Sequence, residues 1–395
     1  MSELHFDFRD VFRAGRYGFS GKKFTVHFIG LALAYLIYEA FVYISLLIVG
    51  GNALEDFWNE YALVPVCPIV DYELKPVTVG AMWLGLLVFF VIFFSTSTMV
   101  SKITIQQLRG DSFFSMKEAA SFLKRHWKAV FGAFVGLILV FVLCLLVPII
   151  VGLLGKIPWV GKVVVTFSSL LMPFAFFLGL LMIYLVVVLS VSLFFVPAVV
   201  ATADTDTFET IYQHFSIVWN QPWRILVYEF ILFGLKLICV SVWMISCLFS
   251  LSLVMLPIRY LLPEDMLHFM GNANKWLGKS INEISALPLV RELGVFDTIA
   301  SSDLSAAQLS TFDNVFVTLS SIFITLSLLF VMGLILAYLF SIASVGNTII
   351  YAILRRRSDG ENLLEAEEEE ESFPDDEVAQ DTAATEEPSE TQPGT

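Results

Sequence analysis

The chain has 395 residues, of which 57% are hydrophobic, 14% aromatic and only 15% charged, with a mean hydropathy of +0.79. Soluble domains carry about 25% charged residues, so this balance argues against an ordinary soluble enzyme, a nucleic-acid binder or a secreted disulfide scaffold. The formal charge of −14 is concentrated at one end: residues 358–395 hold 15 Asp or Glu and no Lys or Arg, which leaves 22 acidic and 23 basic residues in a nearly neutral body.

The chain opens on an amphipathic segment at 8–19. Its apolar positions Phe8, Val11, Phe12, Gly15 and Phe19 share one helical face, and Arg9, Asp10 and Arg13 lie off it. Lys22, Lys23 and Phe24 follow as a headgroup-level anchor. Residues 24–50 form the first apolar run, interrupted only by Glu39. It is too long for a signal-peptide core and reads as a signal-anchor. The stretch 51–76 is a connecting loop, with Pro65 and Pro68 against regular helix. Residues 77–101 form the second run.

The amphipathic layout recurs at 116–127, with Met116, Ala119, Ala120, Leu123 and Trp127 on the face and Ser115/Glu118 as a capping box. The third run is 129–155, the stretch 156–162 is a tight hairpin, and the fourth run is 163–203, read as one long tilted span. A third amphipathic segment at 208–219 carries Phe208, Ile211, Tyr212, Phe215 and Trp219, with Asp206 and Glu209 at its start. The fifth run, 225–256, contains Glu229 and Lys236. Residues 257–312 form a long connection with an amphipathic helical segment, and 314–354 is the sixth run. About 20 apolar residues cross a bilayer, so the chain is predicted to be an all-α integral membrane protein with six transmembrane helices. The three amphipathic segments suggest three repeats of a surface helix plus a two-helix hairpin.

Lys and Arg orient the bundle. The N-terminal segment, 101–128, 201–224 and Arg355–Arg356–Arg357 carry 15 of them, against 7 in the opposite connections. Residues 1–357 are therefore expected to form a membrane domain with both termini cytoplasmic. The tail 358–395, with five consecutive acids from Glu367 to Glu371, cannot offset its ordering entropy and is expected to be disordered. It reads either as a solubilising extension or as bait for a basic protein partner. Membrane lipids are the other expected partner, and no nucleic acid is.

Chemistry has little visible seat. The five histidines, at 5, 27, 126, 214 and 268, show no metal-ligand spacing, and the sequence has no HExxH, GxSxG, CxxC or P-loop. No catalytic residue, metal or cofactor is predicted, and the chain is not expected to be an enzyme. The candidate site is a set of charges inside the spans, Glu39, Lys236 and Glu229. Lys236 lies about 18 Å beyond Arg224, and Glu39 about 24 Å beyond Lys23, on a helical rise. Two readings stand: a Glu39–Lys236 ion pair joining the first and fifth spans, or a polar site for a substrate.

Val196-Pro197-Ala198, the acidic stretch after it and the run ending Trp219 to Trp223 form one recurring element; Arg109-Gly110 with the Ser115–Trp127 segment forms another. In these the chain resembles bacterial multi-pass proteins of uncharacterised role, related to the membrane domain of some glycerophosphoryl diester phosphodiesterases. The likeness covers about residues 1–255. It implies an all-helical membrane fold in a bacterial cytoplasmic (inner) membrane, and transfers no catalytic residue. The functional expectation is a non-enzymatic scaffold or accessory subunit; the alternative is a transporter or binder of a lipid-like, largely apolar small molecule.

Overall fold

The computed structural model describes residues 4–65, 74–262, 273, 311–360 and 362–365, and among these it contains helices and no strand. In chain order the helices are α1 (Phe8–Val11), α2 (Arg13–Gly18), α3 (Gly21–Val49), α4 (Ala53–Tyr61), α5 (Pro76–Arg109), α6 (Met116–Gly155), α7 (Val160–Leu170), α8 (Met172–Ala203), α9 (Thr207–Asn220), α10 (Pro222–Leu261) and α11 (Thr311–Asp359). Six of them, α3, α5, α6, α8, α10 and α11, are long and apolar enough to cross a membrane. They fall on the six expected runs, and the fold is an all-α multi-pass membrane bundle.

Local chemistry sets the boundaries. Proline begins α5 and α10, where its missing N–H costs nothing. At the end of α5, Gly110 takes a left-handed conformation with φ of 110°, which lets Asp111 N–H return to the Gln106 carbonyl at 3.0 Å. Ser115 and Glu118 form the reciprocal capping box on α6, and Asp206 accepts from the Glu209 N–H to cap α9. Asp7 makes no such cap on α1. Its carboxylate instead bonds Arg357 at the far end of the chain.

Several expectations are corrected. The segment 116–127 is no separate surface helix but the first third of the continuous α6, because no proline or glycine lies between Met116 and Phe131 to end it before the span. The segment 8–19 is two short helices, and only 208–219 stands alone, as α9. The fourth run is not one helix: it breaks at Leu171, where Pro173 has no N–H to continue the ladder, and residues 160–170 form α7. The loop 51–76 contains α4. Most of the long connection lies outside the described residues (263–272 and 274–310), as does the tail from 366 onward.

Helix α11 is the organising element. It packs against α2, α3, α5, α8 and α10, while α3 lies along α5 and α6 along α8. Its polar residues Tyr338, Ser341, Ser344 and Asn347 recur every third position. Each step of three turns the side chain back by about 60° around the axis, so successive residues face different neighbours. Tyr338 donates to the Gly15 carbonyl (3.2 Å) and Ser341 to that of Gly18 (2.7 Å). Ser344 shares a hydrogen bond with His27 of α3 (3.1 Å), and Asn347 donates to the Phe194 carbonyl of α8 (2.8 Å). Such bonds are worth about 0.6 kcal/mol each in a membrane, so they set register more than stability.

Burial is polarised along the bundle. The largest apolar core joins α1, α8, α10 and the second half of α11, where Ile349, Ile350, Tyr351, Ile353 and Leu354 are enclosed. Phe19, Phe24, Trp243 and Tyr338 form an aromatic cluster with centroids 5.1–6.4 Å apart at the α2–α3 junction. Towards the opposite end a smaller core of Tyr38, Val42, Leu46, Phe57 and Met82 joins α3, α4 and α5, while α6 to α8 are open: from residue 138 through α7 to residue 184 most side chains are exposed. In a membrane fold those apolar faces meet lipid.

Candidate functional site

The three intramembrane charges lie in two places. Glu39, 9% exposed, sits on α3 between Tyr35 and Tyr43, and its Oε1 has no hydrogen-bond partner. Those tyrosines donate to the carbonyls of Leu63 and Ala62, tying the turn after α4 down onto α3. Glu229 and Lys236 are seven residues apart on one face of α10, half-buried, and close enough to interact electrostatically. Helix α10 packs chiefly on α11 and the short N-terminal helices and meets α3 where Trp243 faces Phe24, whereas α3 packs chiefly on α5 and α11. Among the described residues no ion pair joins Glu39 to Lys236.

Where α3, α5 and α11 cross, beside His27, Thr96 and Phe340, the void measures about 10 Å³. That is room for about one water.

A second polar place was not singled out by the sequence reading. The ends of α5 and α8 and the start of α6 enclose a cleft of about 320 Å³, lined by Lys102, Gln106, Phe114, Glu118, Ser121, Phe122, Arg125 and Asp204. Lys102 forms part of its wall: it is only 5% exposed, with its ammonium 4.3 Å from the centre of the Phe122 ring. A buried cation over an aromatic face is held by the ring quadrupole.

Both carboxylates of the cleft are engaged. Glu118 accepts from the Ser115 N–H at 2.6 Å in the capping box. Asp204 lies 3.0 Å from His126 Nε2, and His126 Nδ1 faces the Phe122 carbonyl at 3.1 Å. Both imidazole nitrogens thus face oxygen acceptors. Asp204 holds a left-handed backbone with φ of 53° at the end of α8, which turns its side chain toward α6. Lys22 fastens the rim, donating to the carbonyls of Ser112 and Phe114 at 3.1 and 3.2 Å.

The sequence placed Lys102 among the charges that flank a span. Its burial follows from Phe122 folding over it, a contact between two helices that no spacing within either one announces. Among the described residues no group of three or more His, Cys, Asp or Glu is placed to hold a metal ion. No protein-family model, curated protein or solved structure matches the chain.

Proposed function

We propose that this chain is a non-enzymatic scaffold or accessory subunit of a bacterial cytoplasmic membrane, with both termini on the cytoplasmic side. The tight crossing of α3, α5 and α11 carries this reading. A transporter needs a route between its helices, and here α3, α5 and α11 leave about 10 Å³ at their crossing. The glycine at the crossing is filled rather than open: Gly30 lies against the Thr96 methyl, as elsewhere on these helices Gly85 lies under the Tyr38 ring and Gly333 under that of Phe28. The excess of Lys and Arg at the end bearing α1, α2 and the close of α11 supports the orientation. The resemblance to the membrane domains related to glycerophosphoryl diester phosphodiesterases is part of the same proposal and supplies the bacterial setting.

The scaffold reading calls for a stoichiometric protein partner, with the acidic tail as one way to recruit it. Native mass spectrometry of the gently extracted full-length chain, beside a form lacking 366–395, tests it. A partner present with the full chain and lost with the deletion supports the reading. A chain that stays alone from extracts of its native membrane overturns it. The second reading, a binder or transporter of a lipid-like molecule, is favoured by the cleft around Lys102.

A further inference from the structure

We infer that Glu39 holds a small monovalent cation, of the sodium or potassium class, under the turn that follows α4. The Tyr35 and Tyr43 hydroxyls and the Ala62 and Leu63 carbonyls supply the neutral oxygens around it. The site needs no protein partner, so it stands or falls apart from the scaffold reading. Three observations carry it.

The first is a carboxylate without compensation. Glu39 is 9% exposed, its Oε1 is enclosed without a hydrogen-bond partner, and among the described residues no Lys, Arg or His pairs with it. A charge inside a span is costly and ordinarily faces a partner. One carboxylate balances one positive charge. A divalent ion would leave a net charge in the same enclosed place, which selects a monovalent one.

The second is a convergence of oxygens. Tyr35, Glu39 and Tyr43 follow one another a helical turn apart on one face of α3. Tyr35 donates to the Leu63 carbonyl at 2.6 Å and Tyr43 to that of Ala62. Two side chains that leave α3 two turns apart therefore reach adjacent residues of one turn, with Glu39 starting between them. It is close enough to both hydroxyls to interact electrostatically. A hydroxyl beside a lone carboxylate ordinarily donates to it, because charge-assisted bonds are the stronger ones. Here each hydroxyl spends its only hydrogen on a backbone carbonyl instead. What these groups have left is lone pairs alone, on both phenol oxygens, both carbonyls and the carboxylate. Four neutral oxygens and one anionic oxygen pair suit an ion that takes oxygen ligands in place of its water.

The third is the backbone that presents the carbonyls. Ala62 ends α4 with φ of 46° and ψ of −116°, a conformation that a residue with a Cβ rarely adopts, and it is wholly buried. Its N–H stays with the helix, on the Trp58 carbonyl at 3.0 Å, while its own carbonyl turns to Tyr43 on α3. Strain of this kind persists where surrounding contacts impose it, and such places cluster at ligand clamps.

The full-length protein in detergent, exchanged into N-methylglucamine chloride, tests the site. Sodium or potassium chloride replaces that salt at constant ionic strength, and the melting temperature is read against ion concentration. A saturable rise is expected, because an ion that binds only the folded chain stabilises it. The ion that saturates at the lower concentration is the preferred one. Glu39→Gln, which keeps the shape without the charge, should melt at one temperature in all three salts. Tyr35→Phe and Tyr43→Phe, each lacking one oxygen, should raise the midpoint concentration about tenfold. They decide the matter if Glu39→Gln fails to fold. A wild type that melts alike in all three salts, a rise equally present in Glu39→Gln, or a midpoint unchanged in both tyrosine variants overturns the proposal.

Discussion

Arg109 donates from both Nε and Nη2 to the carbonyl oxygen of Leu363, at 3.1 and 2.8 Å. The two residues are 254 positions apart, and the contact joins the end of α5 to the first turn beyond α11. Leu363 is itself only 2% exposed and belongs to the main apolar core, with Leu364 packed beside it. The acidic tail therefore begins from a fixed point on the bundle.

Arg109→Ala is expected to release that point. The Leu363 carbonyl would lose two charge-assisted donors, worth about 1.5–3 kcal/mol each. Deuterium exchange should then rise at least tenfold at residues 362–365, with α5 and α11 unchanged. Exchange equal to wild type would show that apolar packing of Leu363 alone holds the segment.

His214 gives the bundle a pH dependence. It is wholly buried on α9, its Nδ1–H donates to the Thr210 carbonyl at 2.6 Å, and its Nε2 has no partner. Burial lowers its pKa from 6.5 to about 4, the Thr210 bond opposing the shift. The unfolded segment therefore binds a proton more readily than the folded one. Stability is complete above pH 6.5 and falls as pH drops toward 4, by about 3 kcal/mol across that window. Melting temperature or exchange at residues 207–220 measures this, and His214→Gln should flatten the profile between those pH values.

The glycines divide by what a methyl group would meet. At Gly30 a Cβ would overlap the Thr96 methyl, and at Gly161 the backbone carbonyl of Gly155. At Gly179 it would meet nothing within 4 Å. Gly161→Ala is expected to cost most, because a backbone carbonyl cannot rotate aside. Gly30→Ala should cost about 1–3 kcal/mol through overpacking, partly offset by helix propensity. Gly179→Ala should be neutral or stabilising by up to about 1 kcal/mol. Thermal melts in detergent rank the three, and a Gly161→Ala melt equal to that of Gly179→Ala would refute the steric account of the α6–α7 turn.

What could be read in advance, and what could not, divides along the same physical line. Span positions follow from composition over about 20 residues, a local quantity, and the six apolar runs became the six long helices. The caps at Ser115 and Asp206 were equally local and are formed. The continuity of α6 through Trp127 was not legible, because an amphipathic face looks the same on a surface helix and on the start of a long one. The break at Leu171 had its signal in Pro173, inside a run whose hydropathy concealed it. The cleft around Lys102 was not legible, since it depends on α5, α6 and α8 meeting at one end. Neither was the packing of five helices around α11.

The places of the two charges along their helices decide how Glu39 and Lys236 should behave. Helices α3 and α10 meet where Phe24 faces Trp243, but Glu39 lies fifteen residues beyond Phe24 and Lys236 seven before Trp243, so the charges sit at different heights and their energies should be independent. Glu39→Lys combined with Lys236→Glu is expected to accumulate no better than the two single changes together imply. In a double-mutant cycle the effects should add within about 0.5 kcal/mol. Glu39→Gln, which removes a charge whose Oε1 has no partner, should be neutral or stabilising by up to about 2 kcal/mol. Rescue of either single variant by the charge swap would mean that the two charges themselves meet, and the relative heights of α3 and α10 would have to be redrawn.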